Sequence, residues 1–240
     1  MNSLLKSCLE NTFGLEGGYY DHPNDKGGPT KYGIAYNFNV ERLAEHGITS
    51  PYQMQILPIE IAVKIAEKGY WNKSNCDLFE PHQIQTLRSY FDMVYHAGVT
   101  GGGICLQKTI NDFLAPVDGG DIKVDGKVGP QTMVAMHKLV DGNYDPDSET
   151  SDSNFCKALG ARRIEYYFGL YNNPKSTWYQ YKRFLNSGIR RVWLTLSNLI
   201  VIRPPIRGAF FVRRIYLSYI FIYYSVPAYT FFVLLKLKIL

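Results

Sequence analysis

The sequence predicts a mainly α-helical chain with a small β element, an α+β class with a helical C-terminal module and an apolar tail. Three observations predict it. Apolar side chains recur at i, i+3, i+4 and i+7 through several windows, which is the period of a helix with one buried face. One stretch, residues 19–34, breaks that period with Pro, Asn-Asp and Gly-Gly punctuation and reads as irregular chain with a small hairpin. Beyond residue 199 the composition shifts to arginines followed by an unbroken apolar run.

In chain order, Leu4, Leu5, Cys8, Leu9 and Thr12-Phe13 form a helical stripe, with Gly14 as its expected stop. A helix is predicted over 37–46. Pro58 suits a first helical turn, and Ile59, Ala62, Val63, Ala66 and Tyr70 then mark one face. Further helices are predicted at 82–96, 102–114, 131–140, 155–171 and 176–187. Residues 115–130 are a Gly/Asp-rich turn region, and 141–153 an acidic linker without apolar content. Gly101-Gly102-Gly103 reads as the start of a helix, because no Gly-Lys-Ser/Thr follows to make a phosphate cradle. The expected domains are 1–92, 93–198 and a tail, 199–240.

A chain of 240 residues with 46% hydrophobic and 20% charged residues is globular and long enough for one or two cores. Its net charge of +5 hides an asymmetry. Residues 1–165 hold 15 Lys+Arg against 21 Asp+Glu, whereas residues 166–240 hold 11 Lys+Arg and no acid. The basic third must meet something anionic or lie against a membrane. Within it, residues 215–235 carry no formal charge and would span about 31 Å as a helix, enough for a bilayer core. Five tyrosines and Pro227 argue against a spanning helix, so a late addition or out-of-frame translation stands beside membrane contact as a reading of the tail. Cys8, Cys76, Cys105 and Cys156 lack C-x2-C spacing, which disfavours zinc and points to buried free thiols. Met1 to Leu9 has no apolar run of signal-peptide length, so synthesis in the cytoplasm is expected.

The chemistry concentrates at Glu16-Gly17-Gly18-Tyr19, Asp25, Gly27-Gly28 and Thr30. Glu16 is expected at a helix C-terminus, where the like-signed dipole charge disfavours a carboxylate and so favours a proton donor. Glycosidic-bond hydrolysis needs a second carboxyl to activate water or attack the sugar. Asp25, across a glycine-rich turn, is the candidate, although Asp21 could replace it and an Asx-turn role fits Asp25 equally well. Gly17 and Gly18 leave backbone open to a polymer. Tyr19, Tyr32 and Trp71 could lie against sugar rings, with core packing as the other reading for Trp71. Asp118, Asp121 and Asp125 lack calcium-loop spacing. Arg162, Arg163, Arg190 and Arg191 read as solvated helix faces, and no nucleic-acid module is recognisable.

Glu16-Gly-Gly-Tyr19, Asp25-x-Gly-Gly-x-Thr30 and Tyr32-Gly-Ile34 resemble the N-terminal signature of the glycoside hydrolase family 108 muramidases, lysozyme-like phage and bacterial enzymes that cut peptidoglycan. The likeness continues through Tyr70-Trp71, Phe91-Asp92, Ala97-Gly98, Leu106-Gln107 and Asp125-Gly126-x-Val128-Gly129-Pro130-x-Thr132. That second group is similar to the family's peptidoglycan-binding-type C-terminal module. His96 departs from the pattern, standing where an asparagine is expected, and reads as a structural histidine.

The resemblance implies a lysozyme-like fold and hydrolysis of the β-1,4 bond between N-acetylmuramic acid and N-acetylglucosamine. It implies Glu16 as general acid, Asp25 as base, and Thr30 helping to hold the water. It further implies peptidoglycan glycan strands as partner, no cofactor or metal, and a phage or prophage lysis setting; a monomer is expected. Two rivals remain at this level: a lytic transglycosylase using Glu16 alone, and a non-catalytic wall-binding or secretion-assisting protein.

Overall fold

α1 (Ser3–Glu16) buries Leu5, Cys8, Leu9 and Thr12, the i, i+3, i+4, i+7 face expected of it. In this computed structural model, residues 2–16, 18–23, 25–114, 121–141, 151–176, 185–186 and 188–192 are described, without the side chains of 15, 16, 141 and 151. The chain divides into Met1–Leu199 and Ile200–Leu240. The expected membrane segment 215–235 lies outside the described residues, as do 177–184 of the helix expected at 176–187. Among the described residues no helix is long and apolar enough to cross a membrane.

Gly14 does not stop α1, which runs two residues further. A mid-helix glycine costs only about 1 kcal/mol relative to alanine. β1 (Thr30–Lys31) and β2 (Ile34–Ala35) form the small antiparallel sheet, pairing Thr30 with Ala35 and Lys31 with Ile34. The helix expected at 37–46 splits into a 3₁₀ turn, Tyr36–Phe38, and α2 (Val40–Ala44). Asn39 separates them with φ −131°, its Nδ2–H donating to the Ala35 carbonyl.

α3 (Ile59–Ala66) passes into a π-helical turn, Glu67–Trp71. The wider turn shifts the side-chain register, so Trp71 lies inside the helical run rather than past its end. Its ring meets Phe91 edge-on at 5.5 Å, and its Nε1–H donates to Asp77 Oδ1 at 2.8 Å.

α4 (Ile84–Leu114) is the central element, packed against α1 on one side and α6 (Ser151–Asn172) on another. It bends at Gly98, whose φ of 80° lies in the left-handed region. The helices expected at 82–96 and 102–114 are its two arms. Its first turn is capped from far along the chain: Asp152 accepts from the backbone N–H groups of Gln85 and Thr86, both at 3.0 Å.

Gly101-Gly102-Gly103 stands at the start of the second arm of α4, just past the bend at Gly98, as expected. A Cβ on Gly103 would run into the Gly126 carbonyl, and one on Gly126 would meet Thr100, so both glycines permit the 125–130 turn to lie on the helix. Gln107 fastens that turn. Its Oε1 accepts from the N–H groups of Asp125 and Gly126, and its Nε2 donates to Asp125 Oδ1 and the Lys127 carbonyl. α5 (Pro130–Asp141) follows, with Pro130 at its first position.

Arg163 and Arg191 are not solvated. Both are buried against Asp92, which is fully buried itself. Arg163 Nη2 donates to Asp92 Oδ2 at 2.5 Å, and Arg191 Nη2 donates to Oδ1. Arg163 also donates to the carbonyl and hydroxyl of Ser89. Burial alone would push the Asp92 pKa up, but Arg191 and Arg163 outweigh it and hold the carboxyl below its ordinary range. Arg162 is partly exposed and pairs with Asp112 and Glu165; Arg190 is exposed. All four cysteines are buried and free.

Removing one cation from a buried charge group leaves the carboxylate under-compensated. Arg163→Met is therefore expected to destabilise the fold by about 3–5 kcal/mol. The check is a lowered urea midpoint; a loss under about 1 kcal/mol would show that Arg191 alone suffices.

Candidate active site

α1 ends at Glu16, which stands at the helix C-terminus as expected, although Gly14 does not end the helix. The Glu16 side chain and Gly17 lie outside the described residues. At Gly18 the backbone faces open space, since a Cβ built there meets nothing within 4 Å. The chain then returns along the sheet. Tyr20 and Thr30 form a two-way backbone bridge, N–H to carbonyl at 2.8 Å in both directions. This ties the segment leaving α1 to the strand that carries Thr30.

Between them hangs the loop of Asp25. Asp25 Oδ1 accepts from the Gly27 N–H at 2.9 Å, and the Asp25 carbonyl accepts from the Gly28 N–H at 3.0 Å. The Asx turn anticipated from sequence is therefore present, and it fixes the direction of a half-buried carboxylate. Among the described residues nothing occupies its Oδ2. Gly27 is required here, because a Cβ would lie 2.9 Å from the Ala35 Cβ. Gly28 has φ 68° and packs on Asn37, whose Nδ2 donates to the Lys26 carbonyl. Asn37 was not singled out from sequence, since nothing in its local pattern marks it as a brace for a loop ten residues upstream.

Thr30 is half-buried, and its hydroxyl donates to the Gly28 carbonyl at 3.0 Å. That donor is taken, but the oxygen keeps lone pairs with which to accept from a water. Asp21, the alternative to Asp25, is exposed and accepts from the Tyr19 hydroxyl at 3.3 Å. Tyr19 itself is 37% exposed. Tyr20 is also exposed, stacked on His22 at 6.2 Å.

Tyr32 and Gly33 form the two-residue turn between β1 and β2, both with positive φ, 51° and 74°. A type I′ hairpin turn demands this sign at both positions and favours Asn-Gly. Tyrosine there costs on the order of 1–2 kcal/mol. Three contacts offset it. The Tyr95 hydroxyl donates to the Tyr32 carbonyl at 2.7 Å, Phe13 stacks on the ring at 5.7 Å, and Lys31 Nζ lies 5.3 Å from its centroid. Phe13 thus already occupies part of the surface expected to meet sugar. Trp71 is 1% exposed, and the π-helical turn that buries it removes it from any sugar-facing surface.

His96 shares a hydrogen bond of 3.0 Å between Nδ1 and the Tyr167 hydroxyl. Burial first, and Arg191 second, push its pKa down to about 3, while Asp92 pulls the other way. The unfolded histidine binds its proton near pH 6.5, so from there down to about pH 3 the unfolded chain takes up a proton that the folded chain refuses. Stability therefore falls as the pH falls through this window. The residue as a whole is half-buried rather than fully enclosed, which moderates the effect. We expect His96→Asn to recover up to about 2 kcal/mol at pH 4.5 and nothing at pH 8. Unfolding curves of both proteins across that range are the check, and parallel curves would exclude the assignment.

Residues 9–98 match the family model described as Glycosyl hydrolase 108, and residues 105–192 match that of a Predicted Peptidoglycan domain. The first match ends at Gly98, where α4 bends. The chain is similar to the solved structure of Brucella abortus SagA, at 23% identity over 80% of this chain and 95% of that one, with a TM-score of 0.50. At that identity the likeness concerns the fold. Comparison with curated proteins finds no match.

Proposed function

We propose that Glu16, Asp25 and Thr30 form the catalytic group of this chain, whose residues 9–98 match the Glycosyl hydrolase 108 model and whose residues 105–192 match the Predicted Peptidoglycan domain. It is a glycoside hydrolase of the N-acetylmuramidase type, acting on peptidoglycan. In our reading the Glu16 carboxyl gives its proton to the oxygen bridging N-acetylmuramic acid to N-acetylglucosamine. A water held by Thr30 Oγ1 adds to the sugar carbon as that bond breaks, and Asp25 Oδ2 takes the proton from the water. Gly17, Gly18 and Tyr19 supply the open edge along which a glycan strand lies.

The observation that carries this reading is the Tyr20–Thr30 bridge. It closes residues 20–30, with the Asx-turned carboxylate of Asp25 and the hydroxyl of Thr30, into one loop that begins four residues after Glu16. Carboxyls about 6.5–9.5 Å apart would leave room for the water and invert the sugar, whereas about 5–5.5 Å would let Asp25 attack directly.

Clearing of purified sacculi by wild type and variants is the test. Glu16→Gln is expected to lower the rate roughly 10³-fold with an unchanged circular dichroism spectrum. Asp25→Asn should lower it by about 10²-fold or more, and Asp21→Asn by little. Full activity in Glu16→Gln removes the mechanism; loss in Asp21→Asn rather than Asp25→Asn moves the base to Asp21.

We also propose that the tail contacts a membrane through residues 215–235, flanked by Arg213, Arg214, Lys236 and Lys238. The full chain is then expected in the membrane fraction, and a chain ending at Leu199 in the supernatant. Equal partitioning of the two excludes the tail as an anchor.

A further inference from the structure

The loop that presents Asp25 has a second neighbour, and it is an exposed aromatic ring. Phe38 is 69% exposed, yet its Cε2 lies 3.4 Å from where a Gly27 side chain would begin. Val40, two residues on, is 43% exposed. Both line an open cavity of about 460 Å³, within the size range of sites that hold small ligands. Glu41, Arg42, Lys68 and Lys73 complete its polar wall.

The charges of that wall divide into two sets. Arg42 donates to Asn39 Oδ1 at 2.7 Å and lies over the Tyr70 ring, and Lys68 pairs with Glu45 at 2.7 Å. Those groups are engaged. Glu41 and Lys73 have no ion-pair partner among the described residues, and they have opposite signs. The cavity therefore offers two exposed apolar side chains, one free anion and one free cation, beside the glycine that shapes the Asp25 turn. A bare sugar strand is neutral at its N-acetyl and hydroxyl groups and has no use for the two charges. A short peptide with a free carboxylate and a free amine matches both.

Resting on the peptidoglycan-hydrolase reading, we propose that this cavity is a subsite for the stem peptide carried by the muramic acid next to the scissile bond. Phe38 and Val40 cover its apolar side chains, Lys73 meets a carboxylate and Glu41 an ammonium. The enzyme thereby prefers peptide-bearing strands to naked glycan.

The experiment compares kcat/KM on two preparations of one peptidoglycan: soluble strands with their stem peptides, and the same strands stripped of peptide by an amidase. Wild type is expected to favour the first about tenfold. Lys73→Glu and Phe38→Ala are each expected to bring the ratio of the two rates toward one. Because Phe38 lies beside Gly27, its removal could disturb the Asp25 loop, but such damage slows both substrates alike and leaves the ratio where it was. Lys73, on a separate element, gives the same answer without that contact. Equal wild-type rates on the two preparations, or a ratio untouched by both substitutions, overturns the subsite while leaving the hydrolase reading intact. Cleavage of neither preparation by wild type removes both.

Discussion

Two arginines converge on one buried carboxylate, Asp92, from elements that lie about 70 and 100 positions further along the chain. Asp92 sits on the first arm of α4, within the stretch matched to the hydrolase family. Arg163 and Arg191 come from the stretch matched to the peptidoglycan domain. Neither half can satisfy its charges alone, because a buried ion without its partners loses more in desolvation than packing returns. The group therefore acts as a condition on assembly: the second half must close over α4 before the core of the first is electrostatically complete. The cap that Asp152 places on the first turn of α4 works the same way, since α6 must be docked before the N–H groups of Gln85 and Thr86 find an acceptor.

Against this rigid frame the Asp25 loop and its hairpin are built from conformations that most residues avoid. Gly28 and Gly33 have positive φ, and so does Tyr32, without the excuse of lacking a side chain. The Tyr95 hydroxyl that holds the Tyr32 carbonyl comes from α4 three residues after Asp92, and Phe13, stacked on the same ring, comes from the last turns of α1. The hairpin is thus held by the two helices whose packing defines the core. Strain kept in place by a well-packed frame is a common property of sites that must hold one geometry. Here it fixes the turn that separates Thr30 from the exposed ring of Phe38.

Much of this could be read in the sequence, and the failures have physical causes. α1, α3, α5 and α6 are legible because their buried faces repeat at the helical period, and the hairpin because Tyr32-Gly33-Ile34 follows a punctuated stretch. The break at Asn39 was not legible, since it depends on a side-chain bond to the Ala35 carbonyl. For Trp71 the sequence left sugar contact and core packing open, because a single π-helical turn moves a residue from the end of a helix to its buried face without altering composition. Arg163 and Arg191 were read as solvated because their counter-charge is remote; a sequence shows a charge but not the distant carboxylate that permits its burial. The glycine run 101–103 was legible as a helix start, but not its second use, which is to let the Gly126 turn approach the helix closely. Gln107 shows the converse: the Leu106-Gln107 and Asp125–Thr132 motifs noted separately are joined by that one amide.

The central claim is that a water, positioned by Asp25 and Thr30, enters the glycosidic bond that Glu16 protonates. Mass spectrometry of the fragments released from purified sacculi by the wild-type chain tests it most directly. The account predicts muramic acid ends that each carry one added water. Fragments ending in anhydro-muramic acid would contradict it, because they arise when the sugar's own 6-hydroxyl attacks and no activated water is used.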